Sequence, residues 1–157
     1  MIQRIQSVFL GLIAVLMTLF LFLPIWTKVD KDSGIELLVN SLGMKQMKGE
    51  EIISEQGAIY IFFCGFFSVV ISVISLLSYR HRPRQILLGL INSLLIAVAT
   101  VSAALLINDS EKVLLPNERG NFQIGLFLPV ISLILNMLAN RFIRKDENLV
   151  RSADRIR

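Results

Sequence analysis

The chain has one cysteine, Cys64, and one histidine, His81. A single cysteine excludes a disulfide within the chain. One histidine and one cysteine fall short of the ligand sets that hold zinc, so no metal site is expected. Charge is missing over long distances: residues 8–26, 57–77, 86–107 and 122–138 contain no Asp, Glu, Lys, Arg or His. Proton relays, ion pumps and voltage sensors are built on such groups inside the membrane, and these stretches offer none. There is no GxGxxG, no phosphate-binding loop, and no Cys/His pair placed for nucleophilic catalysis. Serines abound, but no base stands near them in the sequence. The expectation is a protein that is not an enzyme, with no catalytic residue and no cofactor.

What is present is apolar and comes in blocks. Hydrophobic residues make up 54% of the 157 and charged residues 18%, less charge than a soluble domain carries. The length suits one domain. Residues 8–26 alone give a helix of roughly 29 Å, about one hydrocarbon thickness. The uncharged stretches 8–26, 57–77, 86–107 and 122–138 are read as four spans of an antiparallel helical bundle, an all-α membrane protein. Between and after them lie segments 27–56, 78–85, 108–121 and a tail, 139–157. No Ala-x-Ala-like site follows the first run, so it is expected to stay as an anchor. Trp26 suits a membrane interface. Pro83 is expected to break the helix between spans, and Pro129 to interrupt the fourth. In 27–56 the alternation of Ile35, Leu37 and Val39 predicts a short strand, and 44–53 a helical turn or two. Together they predict a short ordered cap.

The stretch 78–85, SYRHRPRQ, sets the sides. A basic turn between two apolar runs reads as a cytoplasmic loop. If the N-terminus and the tail share that side, it holds ten Lys/Arg and three Asp/Glu, and the other side holds six and nine. Nine of the ten arginines are then inside and five of the six lysines outside. This asymmetry predicts both termini cytoplasmic, with 27–56 and 108–121 outside. The net charge of +4 is therefore positional, and no nucleic-acid partner is expected.

Each span carries small or weakly polar residues at spacings of three and four, which share one helix face. They are Ser7, Gly11, Ala14 and Thr18; Gly65, Ser68, Ser72 and Ser75; Gly89, Ser93 and Ala97; and Gly125, Ser132, Asn136 and Asn140. Such seams let membrane helices approach closely. Asn92 and Asn136 lie at matching depths, which makes them a candidate intramembrane polar pair; bonding of each to a nearby carbonyl or hydroxyl is the alternative. In the tail, Phe142, Leu149, Val150, Ala153 and Ile156 form an apolar stripe on an amphipathic cytoplasmic helix. Asp146, Glu147 and Asp154 are placed to pair with Arg80, Arg82 or Arg84. The candidate partner- or lipid-contacting residues are Arg80, Arg82, Arg84, Arg144, Lys145, Leu149, Arg151 and Arg155.

The opening MIQRIQSVFL and the closing ANRFIRKDENLVRSADRIR resemble the two ends of a family of small bacterial integral-membrane proteins, domain of unknown function 4293, found mainly in Bacteroidota. The resemblance implies an inner-membrane location and the same four-span layout, and it brings no catalytic residues. The expected function is non-enzymatic: an accessory or scaffolding subunit that sits in the lipid bilayer and meets a protein partner at its cytoplasmic face. The alternative is a small transporter or channel formed by oligomers; a membrane enzyme acting on lipid is a third, weaker reading. Homo- and hetero-oligomers are both open.

Overall fold

A computed structural model describes residues 2–30, 34–49, 51–78, 81–113 and 120–154, with side chains from residue 5 to residue 148 within those ranges. Helix α1 (Ile2–Phe22) leads into strands β1 (Trp26–Asp30), β2 (Ile35–Asn40), β3 (Gly43–Lys48) and β4 (Glu51–Gly57). Helices α2 (Ile59–Leu77) and α3 (Arg82–Glu111) follow, then a short strand β5 (Asn121–Phe122) and helix α4 (Ile124–Asp154). All four helices are long and apolar enough to cross a membrane.

The helices are apolar outside and partly polar inside. Val8, Leu12, Val15, Leu19 and Phe22 form an exposed stripe on α1, and Leu87, Leu90, Ile91, Leu94, Val98 and Val101 one on α3. Buried between the helices are Ser68, Ser72, Ser75, Asn92, Ser132 and Asn136. Each helix has two main helical neighbours: α1 packs on α2 and α4, and α3 packs on the same two. The interior is completed by bulk from α1, where Leu10, Ile13, Met17 and Phe20 recur at helical spacing on the buried face.

The strands form one antiparallel sheet of five, in the order β4-β3-β2-β1-β5. The first four strands join the end of α1 to the start of α2, and β5 immediately precedes α4. The sheet therefore closes one end of the helices. The end of α2, the start of α3, the start of α1 and the end of α4 lie at the other, where Phe9 stacks on Phe142 with ring centroids 5.8 Å apart. Along β1, Trp26, Lys28 and Asp30 alternate inward. Trp26 lies against the backbone of Gly120. The Lys28 ammonium donates to the Glu111 carbonyl at 3.2 Å, placing a cation at the C-terminus of α3, where the helix dipole favours it. Gln123 N–H donates to the Ile25 carbonyl at 3.0 Å, and Ile25 N–H to the Val39 carbonyl at 2.8 Å. The start of α4 is thereby tied through Ile25, between α1 and β1, to the sheet.

Several sequence expectations are corrected here. The chain is not all-α, because the segment expected to hold one strand and a helical turn is a run of hairpins. Gly49, at φ 63°, turns the chain between β3 and β4. The Asn40 side-chain oxygen accepts from the Leu42 and Gly43 N–H groups at 3.0 and 3.1 Å and forms the β2–β3 turn. Lys45 pairs with Glu55 across β3 and β4 at 3.3 Å. Residues 44–48 and 51–53 thus lie in paired strands rather than coil into a helix. Trp26 is not an interface anchor: it is 1% exposed and begins β1, because α1 ends at Phe22, before Pro24. Pro83 does not sit in a loop. It occupies the first turn of α3, where a missing N–H costs nothing. The tail is helical through Asp154, as expected, and is a continuation of α4, which runs unbroken from Ile124 through Pro129 rather than being interrupted there. Residues 108–111 belong to α3, and 121–122 to β5.

Gly43 tests the hairpins. Its φ is 147°, and a Cβ there would overlap the Gln56 backbone carbonyl. Gly43→Ala is expected to cost about 1–3 kcal/mol and to lower the thermal midpoint in detergent more than Gly34→Ala, whose added methyl meets open space. Equal midpoints would contradict the β3–β4 pairing described.

Candidate functional site

Two polar regions stand out: the interior between the helices, and the end opposite the sheet. In the interior, α2 presents Gly65, Ser68, Ser72 and Ser75, all buried. The Ser68 hydroxyl donates to Asn92 Oδ1 at 2.6 Å, and Asn92 Nδ2 donates to the Ser72 hydroxyl at 2.9 Å. Ser72 in turn donates to the Ser68 carbonyl at 2.8 Å. Across α3 and α4, Asn136 Nδ2 donates to the Gly89 carbonyl at 2.8 Å and to the Ser93 hydroxyl at 2.7 Å. Ser93 donates to that same Gly89 carbonyl at 3.0 Å. Asn140 fills the space that a Gly89 side chain would take.

At the other end, Gln85 Nε2 donates to the Ser75 carbonyl at 2.8 Å, closing the turn between α2 and α3. Arg82 reaches across to α4 with both arms of its guanidinium: Nη2 lies 2.9 Å from Asp146 Oδ2, and Nη1 donates to the Asp146 carbonyl at 2.9 Å. Both side chains are largely withdrawn from solvent, at 20% and 16% exposed. Arg84, Arg141, Arg144 and Lys145 are exposed around this pair. A groove of about 330 Å³ opens beside it, between α3 and α4. The model of the family described as Domain of unknown function (DUF4293) matches residues 2–156.

The chain belongs to that family. No curated protein matches it. Family membership accounts for the likeness at both ends of the sequence and assigns no residue a role.

The predicted residues fall into place unevenly. Arg82 and Asp146 form the ion pair expected between the basic turn and the tail. Arg84, Arg144 and Lys145 are exposed at the same end. Arg80 and Arg155 lie outside the described residues, as do the side chains of Leu149 and Arg151. Asn92 and Asn136 do not bond to each other. Asn92 turns to the serines of α2, whereas Asn136 meets Gly89 and Ser93. Neighbouring positions 92 and 93 point about 100° apart around α3, so matched depth did not bring the two amides to the same face. Among the described residues, no group of three or more His, Cys, Asp and Glu is gathered to hold a metal.

Sequence reasoning missed Lys28 and Asn140. Lys28 enters the sequence reading only as one of the six Lys/Arg assigned to the outer side, yet it is 3% exposed; the alternation Trp26-x-Lys28-x-Asp30 was the available signal. Asn140 was placed on the small seam, but its position opposite Gly89 needs the packing of α3 on α4.

The Arg82–Asp146 pair is expected to couple. A double-mutant cycle of Arg82→Ala and Asp146→Ala, read by thermal or denaturant unfolding in detergent, should give an interaction energy of about 1–2 kcal/mol. A value near zero would make the pair an exposed ion pair of little consequence.

Proposed function

We propose that the chain is an integral protein of the bacterial inner membrane, crossing it four times as an antiparallel bundle with both termini cytoplasmic. We propose further that it is a non-enzymatic accessory or scaffolding subunit of a membrane complex. The outward-facing leucines, valines and phenylalanines support the membrane placement, because water-soluble proteins rarely expose contiguous apolar surface on this scale. Spanning by apolar helices suits an inner membrane better than an outer one. The orientation follows from arginine gathering at one end and from the sheet, with its lysines and carboxylates, at the other.

The observation that carries the scaffolding reading is the clamp between Arg82 and Asp146. It fixes α4 at Asp146 against the start of α3, so these two helix ends form one surface with Arg84, Arg144 and Lys145 exposed on it. A protein that works by presenting a surface needs this rigidity. A transporter needs a hydrated path past Asn92, Asn136 and Gly125. Asn92 and Asn136 are 1% and 0% exposed, and Gly125 lies directly under the Pro24 carbonyl. A packed seam favours the scaffold. The partner is a protein that meets the cytoplasmic end.

Deleting residues 148–157 removes the end of α4 while keeping Asp146 and its clamp. The shortened protein should still insert and melt like the full chain, yet lose its co-purifying partner on gentle detergent extraction. Recovery of the same partner at the same yield would contradict the reading.

A further inference from the structure

We propose that the groove between α3 and α4 at the arginine end binds one anionic phospholipid; this rests on the membrane-spanning reading above. The groove, of about 330 Å³, is lined by Leu90, Ser93, Met137, Asn140, Arg141 and Arg144. Positions 137, 140, 141 and 144 follow the i, i+3, i+4, i+7 spacing of one helix face. Going outward along α4, that face reads thioether, amide, guanidinium, guanidinium. A phospholipid has the same polarity order, from acyl chain through glycerol to phosphate and headgroup. Leu90, on the α3 wall, and Met137 are 49% and 62% exposed and continue the outward apolar surface of their helices, so the lower part of the groove suits an acyl chain.

The upper part is built for an anion. Neither Arg141 nor Arg144 pairs with a carboxylate among the described residues, whereas Arg82 nearby is taken by Asp146. Two guanidiniums one turn apart offer paired N–H donors to phosphate oxygens. Asn140 is 9% exposed, and its Oδ1 has no hydrogen-bond partner. It is therefore an uncommitted amide within the wall, able to present oxygen or nitrogen by turning over. Ser93 is already committed to Gly89 and Asn136, so Asn140, Arg141 and Arg144 are the recognising groups. No carboxylate lines the groove to balance the ammonium of a zwitterionic headgroup, which selects for net negative charge.

The test uses the full-length protein in mild detergent, titrated with phosphatidylglycerol or phosphatidylcholine of the same acyl chains and read by native mass spectrometry. Wild type should retain phosphatidylglycerol at least about tenfold more strongly than phosphatidylcholine, given two basic residues at the headgroup level. Arg141→Gln with Arg144→Gln should reduce that preference to about twofold or less, while Lys45→Gln with Lys48→Gln, on β3 at the opposite end, leaves it in place. Met137→Trp, which fills the groove without altering charge, should also weaken retention; this keeps the test decisive if the arginine variant folds poorly. Equal retention of the two lipids by wild type, phosphatidylglycerol retention in Met137→Trp as strong as in wild type, or displacement of phosphatidylglycerol by millimolar inorganic phosphate would overturn the lipid site. Those outcomes leave the membrane reading standing if wild type stays in the membrane pellet after an alkaline carbonate wash. Release by that wash would overturn both.

Discussion

Asn92 holds two serines of the neighbouring helix, and much of the architecture depends on that kind of bond. The outer faces of the helices are as apolar as a lipid tail, so in a membrane the surrounding lipid would give little hydrophobic drive toward association. Close packing and buried hydrogen bonds must supply the rest. Ser68, Ser72 and Asn92 join α2 to α3, and Asn136 joins α4 to the Gly89 carbonyl and Ser93. Other hydroxyls bond back to carbonyls four residues earlier, as Thr100, Ser110 and Ser132 do, which satisfies them where no water is at hand.

The two ends solve different problems. At one, five strands tie α1, α2 and α4 together through backbone hydrogen bonds, and Lys28 caps α3. At the other, connections are short and side chains do the joining: Gln85 to the Ser75 carbonyl, Arg82 to Asp146, and Phe9 on Phe142. The result is a basic end with exposed arginines around one occupied ion pair.

Much of this was legible in the sequence where one physical rule dominates. Small and polar residues at helical spacing inside an apolar run have few places to go but inward, so the seams of α2 and α4 were read correctly residue by residue. On α3, Gly89 is buried and Ser93 and Ala97 are half-buried. On α1 the rule failed. Thr18 is exposed, and the buried face is Gln6, Leu10, Ile13, Met17 and Phe20. The reason is complementarity: where α2 offers Gly65, α1 supplies Phe20 and Leu21, and a partner's small residue is invisible from one helix alone. The sheet was half-seen because β4 is exposed along its whole length, so no alternation marks it. The Arg82–Asp146 pair was foreseeable from opposite charges confined to one side. The asparagines were not, because depth is countable and direction around a helix depends on packing.

The most direct measurement is the sidedness of the two ends. In a Cys64→Ser background, single cysteines at positions 45, on β3, and 84, on the first turn of α3, are exposed in intact cells to a maleimide that does not cross membranes. Labelling of position 45 in intact cells, and of position 84 only after permeabilisation, is the expected result. Labelling of both positions without permeabilisation, or of position 84 alone, would contradict a chain that crosses the membrane with its sheet outside and its arginines within.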